Sequence, residues 1–179
     1  MTTAEELLRL PRGRARHELV RGELRTMPLF EMPEARAISQ LLHSLRSYAC
    51  ERRLGSVLPS VGFQLETNPD TVRGPAVAFI TRERVSALGH TPGYWPEAPT
   101  LAVEVYAPSD VYSQVADRVA DYLEHGTGVV WVLDARRRGV AVHRPGQPVR
   151  MLTGDDVLDG EDVVPGWTLP LRELFHDIG

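Results

Sequence analysis

LAVEVYAPSDVYSQVADRVADYLEHGTGVVWVLD, residues 101–134, decides the fold. Leu101 to Tyr106 reads as a strand, with Ala102, Glu104 and Tyr106 on one face and Val103 and Val105 on the other. Pro108-Ser109 starts a helix from about Asp110 to His125, with Ser109 as its cap, and Gly126 ends it. VVWVLD, residues 129–134, is a continuous apolar strand of the kind buried on both faces. Strand, helix and strand in that order make a right-handed crossover, which sets the two strands parallel. The remaining segments read as hairpins and helices. The predicted class is therefore α/β, a mixed β-sheet flanked by helices.

TAEELL, at the start, forms a short helix capped by Thr3, with Glu6 completing a capping box. HELVRGELRTM, residues 17–27, is a hairpin turning at Arg21-Gly22. From Pro33 to about Arg53, apolar residues recur at helical spacing and predict the longest helix. Ser56 to Glu66 offers one or two strands. In VRGPAVAFI, residues 72–80, Arg73, Gly74 and Pro75 form a turn that feeds a buried strand. Residues 81–100 read as a loop with at most one helical turn. Arg138-Gly139 turns a further hairpin, a last strand lies near Val149 to Leu152, Asp159-Gly160 is a turn, and Leu171 to Phe175 is a short helix. The expected organisation is one domain over 1–179, with an N-terminal helix and arm at 1–16 and a core at 17–175.

The bulk numbers exclude several functions. A formal net charge of −4 gives no overall pull toward nucleic acid or anionic membrane. The single cysteine, Cys50, cannot form an internal disulfide, and its helical pattern predicts a buried small hydrophobe. No apolar run has membrane-spanning length and no leader pattern opens the chain, so a cytoplasmic protein with no membrane partner is expected. All 20 basic residues apart from histidine are arginine. Without lysine the chain can build no Schiff base, no P-loop lysine and no lysine-dependent nuclease motif.

Glu104 is the sharpest candidate. A carboxylate in so apolar a strand needs a partner or a metal, because burying it alone costs several kcal/mol. A structural ion pair and a functional ligand are both open on the strand alone. Arg118 is the natural partner. Val111, Val115, Val119 and Tyr122 form the sheet-facing stripe of the helix, and Arg118 falls within about 40° of Val111 and Tyr122. Asp117, Asp121 and Glu124 point elsewhere. Arg136, Arg137 and Arg138, and likewise Arg12, Arg14 and Arg16, could contact phosphates but read more simply as solvated residues. Tyr94 and Trp95 could stack on a base or meet a second copy, though covering a sheet edge is the simpler use. The six histidines show no metal-ligand spacing.

The succession HELVRGELRTM, VRGPAVAFI, LAVEVYAPSD, QVADRVADYLEHGTGVVWVLD and VLDGEDVVPGWTLPLRELF resembles the Uma-two family of putative restriction endonucleases, a branch of the PD-(D/E)XK nuclease superfamily. The resemblance runs from His17 to Phe175. It implies a restriction-endonuclease-like fold, a DNA substrate and a bound Mg²⁺ or Mn²⁺ ion, and cutting both strands of DNA favours a homodimer with two sites related by a two-fold axis. The family's Pro-Asp pair falls on Pro75 and Ala76, so the first metal-binding acid is missing. Its second acid, the surviving metal ligand, falls on Glu104. The motif's lysine falls on Arg118, four residues before Tyr122, and a histidine early on the long helix falls on Glu34, a possible third acid. The backbone carbonyl after Glu104 is a further ligand implied by the superfamily. Arg118 can stabilise an anionic transition state but cannot act as a base, because it stays protonated. Two readings follow: a metal-dependent endonuclease with an impaired centre, weak or inactive, or a non-catalytic module that binds DNA or a protein partner on the same fold.

Overall fold

The computed structural model describes residues 1–11, 15–89, 92–108 and 110–176. The expectations for Arg12, Arg14, His90 and Ser109 lie outside these residues. Helix α1 (Ala4–Arg9) is followed by β1 (Arg16–Val20), β2 (Glu23–Met27), α2 (Met32–Glu51), β3 (Gly55–Pro59), β4 (Phe63–Glu66), β5 (Thr71–Arg73) and β6 (Val77–Thr81). Then come α3 (Arg82–Leu88), β7 (Leu101–Val105), α4 (Tyr112–Glu124), β8 (Val129–Asp134), β9 (Gly139–His143), β10 (Arg150–Leu152), β11 (Val157–Asp159), β12 (Thr168–Pro170) and α5 (Leu171–Leu174).

Six strands form the main sheet in the order β10-β9-β8-β7-β6-β3. Among the described strands of this sheet only β7 and β8 pair in parallel, with Glu104 opposite Val132, as the crossover requires. A second sheet has the order β2-β1-β5-β4, and β11 pairs with β12. The β1–β2 turn places Arg21 and Gly22 at φ of 48° and 76°, the two positive angles of a type I′ hairpin.

Alternation divides the core. Val129, Trp131 and Leu133 of β8 join Ala37, Leu41, Leu45 and Ala49 of α2, with Trp167 and α5 closing the same layer. Trp131 and Trp167 stack with ring centroids 5.4 Å apart. Val130 and Val132 face the opposite layer, where Val115, Val119 and Tyr122 of α4 cover the sheet. Helix α1 carries the capping box expected at Thr3 and Glu6 and packs Ala4 and Leu7 on Leu19 and Val72.

Several local expectations are corrected. Residues 82–88 are a helix rather than loop. That helix buries no residue, so it has no apolar stripe for periodicity to detect. Arg73 belongs to strand β5, which is buried throughout, rather than to the turn that follows. Val111 is 59% exposed. It precedes α4 with extended backbone, so the helical spacing that placed it on the stripe does not reach it. Cys50 is exposed, since the buried stripe of α2 runs through Leu41, Leu45 and Ala49 and leaves the next position outside.

Gly55 opens β3 against Thr81, the last residue of β6. A Cβ there would sit 2.1 Å from the Ile80 carbonyl oxygen and 2.9 Å from the Phe79 ring. Gly55→Ala is expected to lower stability by about 2–4 kcal/mol, read as a lower urea midpoint with an unchanged slope.

Candidate functional site

Strand β7 places Glu104 on the α4 side of the main sheet, and the helix meets it with two side chains one turn apart. Arg118 Nε donates to Glu104 Oε2 at 3.0 Å, and the Tyr122 hydroxyl donates to Oε1 at 3.0 Å. Arg118 also donates through Nη2 to Asp110 Oδ2 at 3.1 Å. Asp110 is itself held by the Ala107 amide at 2.9 Å. The Glu104 and Arg118 side chains are each only 4% exposed. The partnership expected from helical spacing is therefore formed, and it is dry.

Burial sets the electrostatics. It pushes the Glu104 carboxyl up from its ordinary 4.5 to about 7, against the pull of Arg118, and the nearby Glu18 charge pushes the same way. Burial, then the Glu104 charge, raises the Tyr122 hydroxyl well above its usual range. Burial opposes the charge on Arg118, but Glu104 and Asp110 outweigh it and raise its proton affinity. Arg118 therefore remains a cation and offers no base.

A second buried cluster adjoins the first and was not legible in the sequence. Arg73 of β5 donates through Nη1 to Glu18 of β1 at 2.8 Å and through Nε to Asp121 of α4 at 2.7 Å. The Gly74 amide donates to the other Glu18 oxygen at 2.9 Å. Asp121, which helical spacing turns away from the stripe facing Glu104, thus meets the second sheet. Arg16 is also drawn inward rather than solvated. Its guanidinium lies 4.7 Å from the centroid of Phe30, Nη2 donates to the Gly74 carbonyl at 3.3 Å, and Nη1 is buried without a hydrogen-bond partner.

None of the remaining candidates is hydrogen-bonded to the side chains of this pair. Ala76 is 2% exposed, and its amide donates at 2.9 Å to the carbonyl of Val103, the residue before Glu104. Position 76, where the resemblance leads one to expect an acid, therefore lies alongside the Glu104 strand and carries a methyl group. Glu34 lies in the first turn of α2, fully buried, with neither carboxylate oxygen hydrogen-bonded. Arg136 pairs with Glu31 at 3.4 Å, and Arg137 with Asp134 at 3.6 Å, both at the surface. Trp95 exchanges backbone hydrogen bonds with Gly62 and Gln64, so the 94–95 segment covers the β4 edge.

Mg²⁺ and Mn²⁺ take about six oxygen ligands. Position 76 offers no side-chain oxygen, and both oxygens of Glu104 are engaged by Arg118 and Tyr122. Among the described residues no three His, Cys, Asp or Glu side chains gather closely enough to hold a metal ion. The donor set does not fit a divalent ion.

A family model described as Uma2, putative restriction endonuclease, matches residues 4–172. A crystal structure of a putative nuclease belonging to DUF820 from Anabaena variabilis ATCC 29413 superposes with a TM-score of 0.85. At 19% identity over 98% of each chain, that likeness establishes the fold alone. No curated protein matches the chain.

Two measurements follow from the buried pair. Glu104→Ala strands Arg118 and is expected to cost about 3–5 kcal/mol of stability, while Glu104→Gln, which keeps an acceptor, costs about 1–2 kcal/mol; urea denaturation separates them. A carboxyl raised from 4.5 to about 7 holds a proton in the fold that the unfolded chain releases. The contribution of Glu104 to stability is therefore full below pH 4.5 and is lost as pH rises through about 7. Denaturation midpoints across that window should fall with rising pH, and the Glu104-dependent part of the slope should vanish in Glu104→Gln.

Proposed function

Because the chain belongs to the Uma2 family of putative restriction endonucleases, we propose that it is a nuclease-fold protein with an attenuated hydrolytic centre. Its substrate class is DNA, and it cleaves phosphodiester bonds slowly or not at all. The observation that carries this reading is the state of Glu104: both carboxylate oxygens are occupied from α4, and the neighbouring position 76 is alanine. Hydrolysis of a phosphodiester needs an activated water and relief of the charge that develops on the phosphate. Arg118 can supply charge relief, but its guanidinium cannot take a proton from water.

The second reading is a module on the same fold that binds DNA or a protein partner without cutting. The packing at position 76 supports it. Ala76 is buried, and its amide and carbonyl both bond within the fold, to Val103 and Ser60. These bonds hold the backbone at position 76 with no acid side chain taking part.

Supercoiled plasmid incubated with the unmodified chain and with Ala76→Asp, in Mg²⁺ and in Mn²⁺, separates these readings. The unmodified chain is expected to leave the plasmid at background, and Ala76→Asp to nick it in Mn²⁺ unless Glu104→Ala is added. Robust cleavage by the unmodified chain would contradict the attenuated reading. No cleavage by either, with DNA binding retained in Glu104→Ala, favours the binding module.

A further inference from the structure

The two arginine forks in the buried region are each filled by two carboxylates. Arg118 bonds Glu104 and Asp110, and Arg73 bonds Glu18 and Asp121. The side chains of Glu104, Asp110 and Glu18 are only 4%, 5% and 2% exposed. Carboxylates gathered from separate elements and removed from water need a counter-charge. A bound cation is one solution and is often the largest local charge in a site. A guanidinium is another. Its planar fork spends N–H donors on the same lone pairs that a metal would accept.

We propose that Arg118 and Arg73 are the built-in counter-ions of this centre, so that it assembles without a divalent cation and keeps Mg²⁺ and Mn²⁺ out. The proposal rests on the attenuated-nuclease reading only for which residues make up the centre. Its support is the pairing of these buried carboxylates. Glu104 has one donor on each oxygen, from Arg118 and Tyr122. Glu18 has Arg73 on one oxygen and the Gly74 amide on the other. Asp110 receives Arg118 and the Ala107 amide on the same oxygen. At Glu104 of the unmodified chain a metal would compete with Arg118, and displacing it would leave a buried guanidinium short of its partner, the costly half of any broken buried pair.

Mn²⁺ titration calorimetry on the full chain, with thermal scans in the presence and absence of Mn²⁺, tests this. The unmodified chain is expected to bind no Mn²⁺ below about 1 mM and to keep its Tm. Arg118→Met removes the counter-charge from Glu104 and Asp110. Its lowered Tm is expected to rise with Mn²⁺, with affinity at least about tenfold above that of the unmodified chain. Stoichiometric Mn²⁺ binding by the unmodified chain, lost in Glu104→Gln, overturns the proposal. So does an Arg118→Met protein that folds but neither binds Mn²⁺ nor is stabilised by it. Should Arg118→Met fail to fold, the comparison of the unmodified chain with Glu104→Gln still decides. An unmodified chain that binds Mn²⁺ without cutting DNA defeats this proposal and spares the attenuated-nuclease reading. One that cuts DNA without binding Mn²⁺ does the opposite.

Discussion

The ion pair between Arg118 and Glu104 sets the constraint around which the centre is built. A carboxylate on a central, fully buried strand is tolerable only with donors on its oxygens. Helix α4 supplies both donors from one face, which fixes its rotation and its height over β7 and β8. The parallel crossover brings that helix across the sheet, so the pair and the topology specify each other. Such a pair adds little net stability relative to an apolar equivalent, because desolvation offsets most of the attraction. Its effect is on geometry: any slip of α4 along the sheet leaves two charges unpartnered.

The second cluster extends the same logic to the other sheet. Arg73 joins β5 to β1 through Glu18 and to α4 through Asp121. Helix α4 is thus gripped from the main sheet by Glu104 and from the smaller sheet by Arg73. On the attenuated-nuclease reading proposed for this chain, this is where acid groups would meet a hard cation. Here a methyl group stands at one position and a guanidinium faces the other. A lysine at position 118 would offer a point charge on a flexible stem that can give up its proton when buried. Arginine keeps its proton and holds two carboxylates at once, which suits positioning better than proton transfer.

Much of this was legible in the sequence where the signal is local. The crossover follows from strand and helix periodicities that stand side by side within 34 residues, 101 to 134. Glu104 and Arg118 follow from alternation and helical spacing in that same stretch. Glu18, Arg73 and Asp121 were missed because their partnership joins short strands and a helix 48 to 55 residues apart. Strand β5, with three residues, is too short to display a face of its own. The inward turn of Arg16 was hidden for a related reason, since Phe30 and Gly74 come to it only through the tertiary fold. Helix α3 and Val111 show the converse failure. One lacks a buried face and so has no stripe, and the other sits just outside the helix whose period was extended to it.

A double-mutant cycle on Arg118→Met and Glu104→Gln, read by urea denaturation at fixed pH, tests most directly whether the pair is the constraint described. The predicted coupling energy is about 2 kcal/mol or more, with Arg118→Met harmful mainly while Glu104 is ionisable. A coupling below about 0.5 kcal/mol would mean that the two side chains act independently, and the account of α4 as a helix locked to β7 by a built-in counter-charge would be wrong.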